Sequence, residues 1–208
     1  MSEIPRTRRD ELLQAAAHLF ARKGYHATSM QDIAEALDIL RGSLYHHIES
    51  KEALLLELME RGVRGLLEEV LPVAEQDWPP EQKLAEIIRR TTVAIAEHAD
   101  FMAVFLHEMK SVPPERRGPI DELRLQYEGL IRQVLEEGMQ TGVFRRLDTQ
   151  IALFGLLGMI SWTYRWYNPQ GRLTPQQIGD IFVDMLLGGL LTNPEERTRL
   201  LASREHEA

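Results

Sequence analysis

GYHATSMQDIAEALDILRGSLYHHIESKEALL, residues 24–55, is the stretch that sets the fold class. Thr28 and Gln31 form a T-x-x-Q capping box ahead of Ile33, Ala34 and Leu37, which predicts a short helix. Asp38-Ile39-Leu40 interrupts it after about two turns, and Asp tolerates the left-handed backbone that a tight turn needs. A second short helix is predicted from Arg41 to Ile48, with Leu44 and Ile48 facing inward. Ser50 then caps a third helix, with Glu52 in its first turn favoured by the helix dipole. Two short helices around a three-residue turn, flanked by longer ones, read as a helix-turn-helix. Its second helix would present Arg41, Ser43, Tyr45, His46 and His47, and Gly42 removes a side chain where a backbone must come close to DNA.

Working outward, the helical pattern continues in both directions. Leu12, Leu13, Ala16, Leu19 and Phe20 repeat on one face ahead of Gly24, a fitting C-terminal cap. Downstream, the helix begun at Ser50 should run to about Leu71, where Pro72 and then Trp78-Pro79-Pro80 break it. Leu84 to Ile95, Phe101 to Lys110 and Ile120 to about Gly142 mark further helices. Asp148 caps a strongly apolar helix continuing to Tyr167. Thr174, Pro175 and Gln177 combine an N-cap, a proline at the first helical position and a box partner. Asn193-Pro194 closes that last helix. No run alternates as a strand would, so the class is all-α. The expected division is a DNA-binding unit over residues 1–52, a larger helical effector-binding and dimerisation unit over 53–194, and a charged tail over 195–208.

The stretch quoted above resembles the DNA-binding segment of the TetR family of bacterial repressors. The resemblance rests on the T-S-x-x-D-I-A start, the R-G-S-L-Y-H-H helix and the S-K-E-A-L helix start. It implies that Arg41 and Gly42 face base edges and that Tyr45 and His46 touch phosphates or bases. It further implies that His47 and Lys51 reach the DNA backbone and that Thr28 caps toward a phosphate. An arginine can read guanine bidentately, worth about 1–3 kcal/mol of discrimination, whereas a lysine on a phosphate adds affinity without sequence information. Three positions depart from the usual pattern: Asp38 replaces the turn glycine, Leu40 the serine before the recognition helix, and Ile48 the aromatic after the histidine pair. Losing a polar cap at Leu40 costs about 1 kcal/mol of helix-end stability.

Charge follows the same division. The chain has 24 Lys and Arg against 32 Asp and Glu, a net charge of −8, which argues against coating nucleic acid by bulk charge. Residues 4–51 nevertheless hold seven basic and six acidic residues, and 53–208 hold 17 and 24. The acid excess therefore lies outside the helix-turn-helix. A double-stranded operator is the expected partner of a homodimer, whose two recognition helices would enter successive major grooves about 34 Å apart.

The second half carries a weaker signal. GMISWTYRWYNPQGRLTPQQIGDIF, residues 158–182, resembles the branch of TetR-like repressors that respond to acyl-coenzyme A thioesters and control fatty-acid, phenylacetate or steroid-ring degradation. Coenzyme A offers an adenine face for aromatic stacking and phosphates for arginine. Trp162, Arg165 and Trp166 share one side of a helix, and Phe101, Met102, Phe105, Met109, Leu130 and Met159 are candidates for an acyl tunnel. The alternative for the tryptophans is a dimer interface or core, and for the methionines core filling. Ile151, Phe154, Leu157 and Gly158 on one helix, with Phe182, Met185, Leu186 and Gly189 on the last, are the expected dimer seam; packing of the protomer's own core competes for each.

Other functions fit less well. A drug-responsive regulator of an efflux pump would want carboxylates in its pocket, for which Glu97, Asp100, Glu108 and Glu122 are available. A helical metal enzyme needs Glu-x-x-His pairs, and none of the seven histidines has Glu three positions before it. His107-Glu108 opens like a zincin, but Ser111 stands where the second histidine belongs. There is no G-x-S-x-G elbow or phosphate-cradling glycine loop, so no catalytic, metal or cofactor site is expected. The absence of cysteine excludes thiol switching. With no signal-like start, and an apolar run at 151–160 too short for a bilayer, a cytoplasmic protein is expected.

Overall fold

The computed structural model describes residues 8–190. Among these the chain is helical and contains no β-strand, as the sequence predicts. α1 (Arg8–Lys23) ends where Gly24 takes a φ of 86° and donates its N–H to the Phe20 carbonyl at 2.9 Å. α2 (Met30–Ala36) and α3 (Arg41–Leu44) flank a turn in which Asp38 has a φ of 53°, the left-handed conformation that its short polar side chain tolerates. α3 is shorter than expected, because turns replace helix from Tyr45 to His47.

α4 (Lys51–Ala74) starts at Ser50, whose hydroxyl accepts the Ala53 N–H at 3.0 Å. It does not stop before Pro72 as expected. The proline sits on the exposed side of the last turn, so the helix runs on to Ala74. α5 (Pro80–Glu97) and α6 (Ala99–Glu108) follow, then 3-10 turns at Met109–Ser111 and Pro114–Arg116, and α7 (Gly118–Gln140). The long helix expected from Asp148 to Tyr167 is two pieces, α8 (Thr149–Ser161) and α9 (Thr163–Trp166), which meet at Trp162. Asp148 caps α8 by accepting the Ile151 N–H at 3.0 Å. α10 (Pro175–Leu190) opens with the full capping box: Thr174 N–H donates to Gln177 at 2.9 Å, and Gln177 N–H to the Thr174 hydroxyl at 3.2 Å. The expected closing Asn193-Pro194 and the 195–208 tail lie outside the described residues.

The buried apolar residues form two clusters. The first joins α1, α2, α3 and the first half of α4 to Phe101 and Val104 of α6 and to Ile120 and Leu123 of α7. The helix-turn-helix is therefore not a free-standing unit; α6 is built into its core. The second joins the rest of α4 to α5, α7, α8 and α10. Two glycines permit close approaches here. A Cβ on Gly138 would lie 2.1 Å from the Phe144 ring, and one on Gly179 3.2 Å from Arg89 Cα, so α10 lies close against α5. No helix among the described residues is long and apolar enough to cross a membrane.

Candidate nucleic-acid interface and effector cleft

The recognition segment is held from below and bare above. Leu44 and Ile48 are buried in the first core, while Arg41, Gly42, Tyr45, His46 and His47 are exposed and Ser43 is half-buried. A Cβ on Gly42 would meet nothing within 4 Å, so the glycine leaves an open surface. Arg41 lies over the Tyr45 ring at 5.9 Å, with the Tyr45 hydroxyl 3.4 Å from its guanidinium, an arrangement that steadies a long side chain. Arg9 braces the far end: it forks onto Glu57 at 2.7 and 2.8 Å and donates to the His47 carbonyl at 2.9 Å. Its bond to the Glu57 carboxylate raises its already high pKa.

Two residues expected at the DNA backbone are employed elsewhere. Thr28 is only 1% exposed, and its hydroxyl donates to the Gly24 carbonyl at 2.9 Å. Its hydroxyl is thereby turned into the protein. The N-cap is its neighbour Ser29, which shares a capping box with Asp32 rather than with Gln31. Lys51 donates through Nζ to the Tyr25 carbonyl at 2.9 Å and the Thr28 carbonyl at 2.8 Å, with the Tyr25 ring 4.4 Å away. It clamps the α1–α2 turn onto the start of α4. Its ammonium faces carbonyls, the surroundings of a structural cation. Burial, with Glu52 and Glu108 nearby, pushes the Tyr25 hydroxyl above its ordinary pKa.

The effector candidates are not gathered into one pocket. Phe101 and Met102, near the start of α6, line a cleft of about 910 Å³ with α1, α4 and α5. Leu66, Val93, Ala94 and Ile95 continue its apolar wall, and Arg61, Arg64, Arg89 and Arg90 stand around it. Arg61 pairs with Asp10 of α1 across the cleft, and Arg90 with Glu86 at 2.7 Å. Phe105, Leu130 and Met159 pack half-buried against the second core, and Met109 against the first, outside the cleft. Trp162, Arg165 and Trp166 are exposed on and beside α9, away from the cleft lining. The helix expected to carry them is broken at Trp162, so the three residues do not share one continuous helix face with α8.

The seam candidates separate in the same way. Ile151 is 68% exposed and Phe154 54%, with Gly158 exposed and Leu157 half-buried. On α10, Met185 and Gly189 are exposed and Leu186 is half-buried, but Phe182 belongs to the protomer's own core, edge-on to Trp166 at 6.4 Å. Ile181, one position earlier, is the exposed residue. Sequence reasoning also missed Arg9 and Asp10 and gave Glu108 only as a pocket carboxylate; their partners Glu57, Arg61 and Tyr25 lie about 50 or more residues away along the chain.

Residues 12–58 match the family of bacterial regulatory proteins called tetR, and residues 77–190 match the tetracyclin repressor-like C-terminal domain. The chain belongs to the TetR family. It is a DNA-binding transcriptional repressor of the helix-turn-helix type. Over 186 residues this TetR-family chain is 34% identical to the HTH-type transcriptional repressor KstR2 of Rhodococcus jostii, covering 88% of this chain and 91% of that one. The solved structure of the ketosteroid transcriptional regulator KstR2 of Mycobacterium tuberculosis is 30% identical, covers 92% of this chain and 99% of its own, and superposes with a TM-score of 0.85. AibR, solved in complex with isovaleryl coenzyme A and operator DNA, is 34% identical with a TM-score of 0.78, covering 87% of this chain and 98% of that one.

Proposed function

We propose that this repressor leaves its operator when an acyl-coenzyme A thioester binds, and that it controls genes for fatty-acid or aromatic-acid degradation. The arginine-lined cleft is the observation that carries this reading. Its volume suits a large ligand, with arginines for phosphates and an apolar wall at Phe101 and Met102 for the acyl end. The similarity to AibR, a protein solved with isovaleryl coenzyme A, supports the same class. The arginines are already paired, but exposed ion pairs are worth only about 0–1 kcal/mol, so a polyphosphate can exchange their partners. Exchanging Arg61 away from Asp10 removes a tie between the cleft and α1, which gives the ligand different affinities for two states of the DNA-binding end.

Operator binding falls to the exposed Arg41, Gly42, Tyr45, His46 and His47 with half-buried Ser43. Dimerisation falls to Ile151, Phe154, Leu157 and Gly158 with Met185, Leu186 and Gly189, to which Ile181 and Trp162 add exposed apolar surface. A regulator acting on chromosomal DNA in this way works in the cytoplasm.

Titrating operator-bound protein with acyl-coenzyme A thioesters of graded length, beside the matching free acids, tests the effector. Thioesters should release DNA and free acids should not. Arg64→Ala and Arg90→Ala should raise the concentration required. The cleft also holds Glu68, Glu69, Glu86 and Glu97, which would suit a lipophilic cation. Release by cationic dyes but by no thioester would make the drug-responsive reading correct instead.

A further inference from the structure

We infer that Leu40 reads a thymine methyl group in each operator half-site, beside the base that Arg41 reads. Leu40 is 80% exposed, the highest value among the large hydrophobic residues described, and it stands at the N-cap of the recognition helix. The turn fixes it there. Leu37 and Ile39, which precede it on either side of Asp38, pack against the first core, and Ile39 donates its N–H to the Ala34 carbonyl at 3.0 Å. Ser43 donates to the Leu40 carbonyl at 2.9 Å, so the backbone at Leu40 is already committed to the first turn of α3. Leu40 makes no side-chain cap bond, and leucine has no polar atom with which to make one. At this position a leucine neither caps the helix nor fills the core.

It is continuous with the surface proposed to face DNA. Arg41 and Gly42 follow directly, both exposed, with open space above Gly42. The N-terminal residues of a recognition helix are the ones that meet base edges in the major groove. The one apolar group that a base pair presents there is the thymine C5 methyl, and apolar side chains read it by contact. An exposed leucine is ordinary on a protein surface. Placed at this tip it selects for thymine and against cytosine, which lacks the methyl and offers an amino donor that leucine cannot pair.

The inference rests on the operator-binding reading, and the test separates the two. The full chain would first select its operator from duplexes carrying a random segment of about 30 base pairs, enough for two half-sites a helical turn apart. Each thymine of the selected duplex would then be replaced symmetrically by deoxyuridine, which deletes the methyl and nothing else. One thymine per half-site should show the effect: about fourfold weaker binding per methyl, and about fifteenfold with both half-sites altered. In Leu40→Ser and Leu40→Ala the same replacement should change affinity by less than about twofold, while thermal melting shows that both variants fold. Methyl independence at every thymine of a well-bound operator overturns the inference and leaves the DNA-binding reading intact. So does a methyl dependence that survives in both variants. Enrichment of no sequence at all removes both.

Discussion

The Glu108 carboxylate, in the last turn of α6, accepts the backbone N–H of Tyr25 at 3.0 Å. Its other oxygen accepts the Ser111 hydroxyl at 2.8 Å, and Ser111 in turn sits 3.2 Å from His26. The first residues of the same helix, Phe101 and Met102, line the cleft. α6 thus has one end at the cleft and the other on the turn that leads into α2. His107 ties its flank to Tyr164 of α9 through a 2.7 Å bond, so the helix is held at several points. Glu108→Ala should lower stability by about 1–3 kcal/mol, since a partly buried N–H loses a charged acceptor. Glu108→Gln keeps an acceptor oxygen and should cost less. Both should bind effector, followed by tryptophan fluorescence, with Glu108→Ala releasing DNA less completely. Full release by the alanine variant would mean that α6 does not transmit the signal through this contact.

Lys51 distinguishes a structural cation from a DNA contact. With two carbonyls and a ring around its ammonium, Lys51→Met should lower the melting temperature and weaken operator binding without regard to sequence. The slope of log affinity against log salt should stay where it is. A phosphate contact would instead reduce that slope by about one unit. Measuring both quantities on one preparation separates the roles.

The helix-turn-helix was legible because its signals are local. Gly24, Ser50, Asp148 and the Thr174–Gln177 pair each act within one helical turn, and each acts as its spacing predicts. The α2 cap slipped by one residue because Thr28 and Ser29 are both capping types, and only the packing of Thr28 beneath α1 decides between them. The cleft was not legible for a different reason. The cleft is held by contacts such as Arg61 with Asp10 and Arg89 with Asp180, between residues far apart in sequence, which periodicity cannot see. On α10 apolar residues cover more than half the circumference, interrupted only around Asp180 and Asp184, so the pattern alone could not say that Phe182 turns inward while Ile181 turns out.

That contrast gives the sharpest test of the dimer. Phe154 is exposed in the protomer, so Phe154→Glu should place a charge in the seam and shift the protein to monomers at the concentrations used for sedimentation, with little change in helix content. Operator affinity should collapse with it, because each half-site then binds alone. Phe182 is 9% exposed within its own protomer, so Phe182→Ala should cost about 3–5 kcal/mol of stability while the surviving folded protein still dimerises. The reverse outcome, dissociation by Phe182→Ala and none by Phe154→Glu, would move the seam off α8.

The α2 capping box makes a prediction about acid. Hydrogen bonds from the Ser29 side chain, Lys23 and the Ser29 backbone hold the Asp32 carboxyl well below its ordinary range. A carboxyl whose folded pKa is depressed stabilises the fold fully above its unfolded value, about 3.9, and loses that contribution as pH falls toward the folded one. Asp32→Asn removes the ionisable group and keeps an acceptor for Ser29. The stability difference between the native chain and Asp32→Asn, read by urea unfolding, should therefore be constant from neutral pH down to about 5 and shrink only below about 4. A difference that closes between pH 5 and 7 would assign the stabilisation to a histidine, and the box would not be what holds α2 in place to present α3.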